Sequence, residues 1–161
     1  MAISNKQVLK YLDDANINYQ VVTHPPVYTA EEADRYVKGY QFGRTKNLFL
    51  KSKEKYYLVA VLENKRLDMK KLKLSLQSGR LSFASQTDLT NKLAIRSGAV
   101  SPFNLMNNAA HDITFILDRD ILNDELIGCH PNDNTATVIL KVDDLVQLIK
   151  KWGNQVEILP L

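Results

Sequence analysis

Apolar residues recur along this chain with two periods, and the switches between them mark its elements. Val8, Leu9, Leu12 and Ala15 repeat at the spacing of one helical face, and Ser4 with Gln7 sets a capping box ahead of them. A first helix is therefore expected, stopping near Asn16. Ile17, Tyr19 and Val21 then alternate as one face of a half-buried strand. His24, Pro25 and Pro26 end it, because two prolines cannot both sit in a sheet ladder. Thr29 and Glu32 repeat the capping-box spacing, predicting a short helix to Lys38 with Gly39 as its stop. GRTKNLFL, from Gly43 to Leu50, runs a cationic and amide-bearing stretch into the apolar Leu48, Phe49 and Leu50. After the polar Lys51 to Lys55 comes a second apolar strand, Tyr56 to Leu62, most simply antiparallel to the first.

The second half reads in the same way. Asp68 can cap a helix carrying Met69, Leu72 and Leu76 that Gly79 would close, and Leu81 to Phe83 can form a short strand. Ser85 and Asp88 open a helix through Leu89, Leu93 and Ala94. GAVSPFNLMNN, from Gly98 to Asn108, has loop composition but is apolar enough to be tucked against the body and line a pocket. Strands are expected over Ile113 to Leu117, Glu125 to Cys129 and Thr135 to Leu140, with HPNDN from His130 as a tight turn. Asp143 can cap a last helix through Leu145, Leu148 and Ile149 that Gly153 ends, leaving Val156 to Leu159 as an edge strand. This order is neither a clean βαβ alternation nor all-β. The expected fold class is α/β: one mixed, strongly curved sheet with several helices packed on it. No repeat or linker divides the chain, so a single domain over residues 1–161 is expected.

Composition narrows the function without choosing it. Hydrophobic residues at 45% and charged residues at 24% fit a soluble globular protein and argue against disorder. A net charge of +3 permits contact with RNA but does not demand it. Lys51, Lys53, Lys55, Lys65, Arg66, Lys70, Lys71 and Lys73 form a loose cationic block that could meet phosphates or simply be solvated. The single cysteine, Cys129, excludes an internal disulfide and a cysteine-rich zinc site, and the three histidines are scattered. No metal or cofactor is expected. The opening MAISNKQVLK lacks the apolar segment of a signal peptide, and no run approaches the length of a membrane span. A cytoplasmic protein without membrane contact is expected.

The chemistry-bearing residues each have two readings. Lys46, at the mouth of an apolar strand, has its stem held by the core and its ammonium facing whatever lies above the sheet; it is either a charge for a substrate or a snorkelling side chain. Asn47 can donate to and accept from a ligand, or satisfy a loop backbone. Gly98 and Pro102 can shape a site or merely a turn. Thr135 and Thr137, two apart, point the same way along a strand. Cys129 and His130 are adjacent and face opposite sides, so Cys129 reads as core. No Ser-His-Asp or Cys-His-Asn set can be assembled.

Four segments together, HPPVYTAEEA from His24, GRTKNLFLKSKEKYYLV from Gly43, GAVSPFNLMNN from Gly98 and HPNDNTATV from His130, resemble the YbaK and prolyl-tRNA-synthetase-associated editing domains. Their order and spacing are similar to the freestanding bacterial prolyl-tRNA-editing proteins across nearly the full chain. The resemblance implies a mixed, barrel-like sheet with surrounding helices and hydrolysis of the ester joining a wrong amino acid to tRNA, mainly alanine on tRNA(Pro). It carries the family's functional lysine onto Lys46 and its GxxxP loop onto Gly98, Ala99, Val100, Ser101 and Pro102; ester hydrolysis needs an oxyanion site, and backbone N–H groups of that loop are the expected donors. Asn47 matches a position associated with the aminoacyl end, and His130 matches the histidine of the HP turn. His24, Thr29, Phe103, Thr135 and Thr137 complete the expected substrate-binding set. It also implies assistance from the neighbouring ribose hydroxyl of the tRNA in place of a protein base.

The implied partner is the tRNA(Pro) acceptor end, with prolyl-tRNA synthetase as a candidate second partner, no DNA, and a monomer or weak homodimer. Asn104, Asn107 and Asn108 depart from the pattern of many relatives and put the amino acid removed in doubt more than the reaction. The alternatives are a Cys-tRNA(Pro) deacylase and a noncatalytic module that binds an amino acid or a tRNA end.

Overall fold

The structure, a computed structural model, describes residues 3–161. The Ser4 hydroxyl accepts from the Gln7 N–H while the Gln7 side chain accepts from the Ser4 N–H, which starts helix α1 (Asn5–Asp14) and points Val8 and Leu12 into the core. Strand β1 (Tyr19–Thr23) follows, and Thr29 then caps α2 (Ala30–Tyr36) by accepting from the Glu32 N–H. Strands β2 (Thr45–Ser52) and β3 (Lys55–Leu62) form an antiparallel hairpin, in register from Thr45 opposite Leu62 to Ser52 opposite Lys55. Asp68 caps α3 (Met69–Leu76), which ends on Gln77 in the left-handed region rather than on Gly79.

Beyond β4 (Ser82–Phe83), Ser85 opens α4 (Gln86–Asp88), which widens into a π-helical turn over Leu89–Leu93. Pro102–Asn107, expected as loop, is a 3-10 helix capped by Ser101 with proline at its start. Strand β5 (Ile113–Asp118), a 3-10 turn, β6 (Leu126–Cys129), β7 (Ala136–Lys141), α5 (Val142–Trp152) and β8 (Val156–Leu159) complete the order. The last helix begins at Val142, so Asp143 lies in its first turn rather than capping it, and Gly153 closes it at φ 100°. No described helix is long and apolar enough to cross a membrane.

The strands form two sheets. One has three antiparallel strands in the order β1-β7-β6; the other has five in the order β4-β2-β3-β5-β8, with β3, β5 and β8 parallel. This corrects the expectation of one strongly curved, barrel-like sheet: neither sheet closes into a barrel or curves strongly. The large sheet ends in free edges, a two-residue β4 on one side and a four-residue β8 on the other, and closure requires every edge to be paired. Among the described residues an isolated bridge between Gly43 and Ile127 links the approach to β2 with β6, and both sheets contribute side chains to the main core.

The hairpin explains why YYLVAVL is apolar at every position. Phe49, Tyr56, Leu58 and Ala60 face the main core shared with α1 and α5, while Leu50, Tyr57 and Val59 face a smaller core under α3. Leu58 is fully buried in the main core, so Leu58→Ala is expected to lower unfolding stability by about 3 kcal/mol. Urea denaturation measures this, and an unchanged midpoint would contradict the packing.

Candidate active site

The approach to β2 abuts the start of β6 because the Gly43 N–H donates to the Leu126 carbonyl at 2.7 Å. Around that junction lies a cleft of about 230 Å³. Thr45, Lys46 and Asn47 line it from β2; Thr29 and Asp34 from the second helix; Gly98 and Val100 from the loop; Gly128, Cys129, His130 and Thr137 from the small sheet. Lys46, Asn47, Thr29, Gly98, Val100, His130 and Thr137 are thus brought together. His24, Ala99, Ser101, Pro102, Phe103 and Thr135 are not lining residues. None of the eight cations of the middle block lines the cleft either, and Lys65 is occupied by Asp118, Asp120 and the Leu161 carbonyl.

A donor count along the loop separates its residues. The Ala99 N–H donates to the Arg96 carbonyl at 3.2 Å, the Ser101 N–H to Asn104 Oδ1 at 2.6 Å, and Pro102 has none to give. The N–H groups of Gly98 and Val100 have no partner among the described residues, and both residues face the cleft. Gly98 sits at φ 89°, a conformation that favours glycine. Ser101 and Phe103 are fully buried; the Ser101 hydroxyl donates to the His130 carbonyl at 2.6 Å, and Phe103 belongs to the main core. Three further side-chain atoms of lining residues, Arg44 Nη1, Thr45 Oγ1 and Asn47 Oδ1, are closed from solvent without a hydrogen-bond partner. Lys46 takes part in none of the ion pairs among the described residues.

The histidines divide by role. His24 is buried, with Nδ1 bonded to the Pro25 carbonyl at 2.9 Å and Nε2 to the Thr137 hydroxyl at 3.0 Å, and its ring stacks on Tyr36. Both nitrogens are spent on holding the wall. His130 Nδ1 donates to the Ala136 carbonyl at 2.9 Å, leaving Nε2 as an acceptor. Burial holds its pKa below the ordinary histidine value, helped by His24 and opposed by the Ala136 bond and Asp133. Thr135 turns back to Asp133, so the two threonines do not share a pocket wall. Burial pushes the Cys129 thiol far up, which makes it a poor nucleophile. Among the described residues no group of three or more His, Cys, Asp or Glu could hold a metal ion.

Sequence reasoning missed Asp34, Phe42, Arg44 and Thr45. Arg44 and Thr45 stand beside Lys46 in GRTKNLFL; Asp34 and Phe42 carry no signal of their own. Burial pushes the Glu63 carboxyl up to about 7, with a hydrogen bond and charge from Asp34 acting in the same direction and the charges of Arg44 and Lys46 opposing. The two carboxyls lie 29 positions apart in sequence, so no local spacing announces them.

Comparison with known proteins gives a consistent set of similarities. A sequence model of the aminoacyl-tRNA editing domain matches residues 24–148. The prolyl-tRNA editing protein ProX of Acetoanaerobium sticklandii is 35% identical, covering 94% of this chain and 93% of its own. Prolyl-tRNA synthetase associated domain-containing protein 1 of Xenopus laevis is 34% identical, covering 92% of each. A solved structure described as a proposed trans-editing enzyme for prolyl tRNA synthetase superimposes with a TM-score of 0.76 at 24% identity, covering 100% of this chain and 99% of the other.

The Glu63 carboxyl yields a pH prediction. Between the ordinary value of 4.5 and about 7 the folded state holds a proton that the unfolded state has released, so this group's contribution to stability is present at low pH and lost as pH rises through that window. Glu63→Gln removes the loss. Urea midpoints at pH 5 and pH 8 should fall less between the two pH values in the variant than in the parent; equal falls would refute the assignment.

Proposed function

This chain belongs to the aminoacyl-tRNA editing domain family, the YbaK and prolyl-tRNA-synthetase-associated group, and on that premise we propose that it hydrolyses the ester of mischarged tRNA(Pro), in particular Ala-tRNA(Pro), as a freestanding cytoplasmic editing enzyme. The observation that carries this is one cleft lined by an ammonium and by two amide donors with nothing of their own to bond, Lys46 with Gly98 and Val100. An aminoacyl ester is already activated, so the protein need only place it, orient the attacking oxygen and stabilise the developing anion.

Water attacks the ester carbonyl carbon and the carbonyl oxygen becomes an oxyanion. The Gly98 and Val100 N–H groups receive that charge, their direction fixed because the neighbouring amides are committed elsewhere. Collapse breaks the bond to the ribose oxygen, which takes a proton, and amino acid and tRNA are released. Lys46 holds the phosphate or ribose of the terminal nucleotide, a task suited to a compact cation with three donors. Asn47 Oδ1 and Thr45 Oγ1 offer acceptors to the substrate's ammonium, and His130 Nε2 offers one to a ribose hydroxyl. The tRNA(Pro) acceptor end is the proposed partner, with prolyl-tRNA synthetase as a second.

Lys46→Ala is expected to lower kcat/KM for Ala-tRNA(Pro) about 100-fold while leaving the urea midpoint unchanged, since a hydrogen bond from a charged group contributes roughly 1.5–3 kcal/mol. Single-turnover deacylation with tRNA(Pro) charged with alanine, cysteine or proline, and tRNA(Ala) charged with alanine, reads both the activity and its selectivity. Equal turnover by variant and parent would reject the role of Lys46.

A further inference from the structure

One corner of the cleft is apolar and unusually fixed. The guanidinium of Arg44 lies 3.8 Å above the Phe42 ring, and Arg44 NH2 donates to the carbonyls of Val37 at 3.0 Å and Tyr40 at 2.9 Å. The ring therefore cannot swing outward without breaking the stack that ties it to the end of the second helix. On the other side it presses on Gly128: a Cβ built there would lie 2.5 Å from Phe42 Cε2 and 2.9 Å from Cδ2. Phe42 is half-buried, lies outside both core clusters and lines the cleft. Ala33 and Val37, four residues apart at the end of the second helix, add apolar surface beside the ring, in a cleft whose polar lining includes Asp34, Arg44, Lys46, Asn47 and His130.

We infer that Phe42, held between Arg44 and Gly128, is the gauge of the aminoacyl side chain: its ring occupies the space that a larger acyl group would need. The inference rests on the deacylase reading and adds to it the residue that limits substrate size. An ester placed at the Gly98 and Val100 amides, with its nucleotide at the polar groups, leaves the apolar corner for the amino-acid side chain. A rigid ring discriminates there where a mobile one would yield. One methylene in such a pocket is worth roughly 10- to 200-fold in selectivity, which sets the size of the effect.

The test charges tRNA(Pro) with alanine, 2-aminobutyrate or valine and measures kcat/KM for each ester. Phe42→Ala is expected to raise the ratio of 2-aminobutyryl to alanyl hydrolysis about 10-fold, and the valyl ratio more. Phe42→Leu, which keeps the corner filled, should shift the ratios less. Adding Gly128→Ala to Phe42→Ala returns a methyl to the vacated space and should draw the 2-aminobutyryl ratio back toward the parent value, a rescue that a merely structural role would not produce. Unchanged ratios with KM raised equally for all three esters would overturn the gauge and leave the deacylase standing. No turnover of any ester by the unaltered protein would overturn both.

Discussion

Ser101 gives its buried hydroxyl to the His130 carbonyl and its N–H to Asn104 Oδ1, each at 2.6 Å, and thereby fastens the loop of the large core to the turn of the small sheet. Asn104 Nδ2 extends the connection to Asn132 Oδ1, and Asn132 Nδ2 reaches the Ile3 carbonyl. Each such bond contributes only about 1 kcal/mol net, but a buried partner left unmet costs more, so the network favours one arrangement over near alternatives. Its effect on the cleft comes by exclusion. With Ala99 and Ser101 committed and Pro102 lacking a donor, the loop's unspent amides are those of Gly98 and Val100.

Neither sheet could form the cleft alone. The Gly43 bridge to Ile127 sets the mouth of β2 against the start of β6, and a side chain at Gly43 would meet Asp124 at 2.8 Å. Strand, loop and turn thus bring together a cation, two amides and a histidine whose free nitrogen accepts. The Glu63 carboxyl, raised to about 7 by burial against the opposing charges of Arg44 and Lys46, changes its charge between acid and neutral pH.

Local chemistry was legible in the sequence wherever it depended on neighbours in the chain. The caps at Ser4, Thr29, Asp68 and Ser85 follow from residues three apart, and the hairpin from two apolar runs around a polar turn. The four segments that carry the family resemblance each contribute to the cleft, through Thr29, Lys46, Gly98 and His130. Closure of the sheet was not legible, because apolar periodicity says which face of a strand is buried and nothing about whether its edge finds a partner. Thr135 and Thr137 show the same limit: a period of two puts them on one side, yet Thr135 lies just before the strand and is claimed by Asp133. Asn104, Asn107 and Asn108, read as departures that bear on the ligand, bind Asn132, the Leu93 carbonyl and Asp112 and so belong to the loop's scaffold. The contact of Phe42 with Gly128 spans 86 positions and had no local signature.

The most direct measurement is single-turnover deacylation by Ser101→Ala, which removes the hydroxyl that ties the amide loop to the His130 carbonyl while leaving every lining side chain in place. The expected result is a fall in kcat of about 10-fold or more with KM for the charged tRNA little changed, because the amides lose their aim while the nucleotide's contacts remain. A variant that folds with the parent's urea midpoint and turns over at the parent's rate would contradict the dependence of the reaction on that clamp.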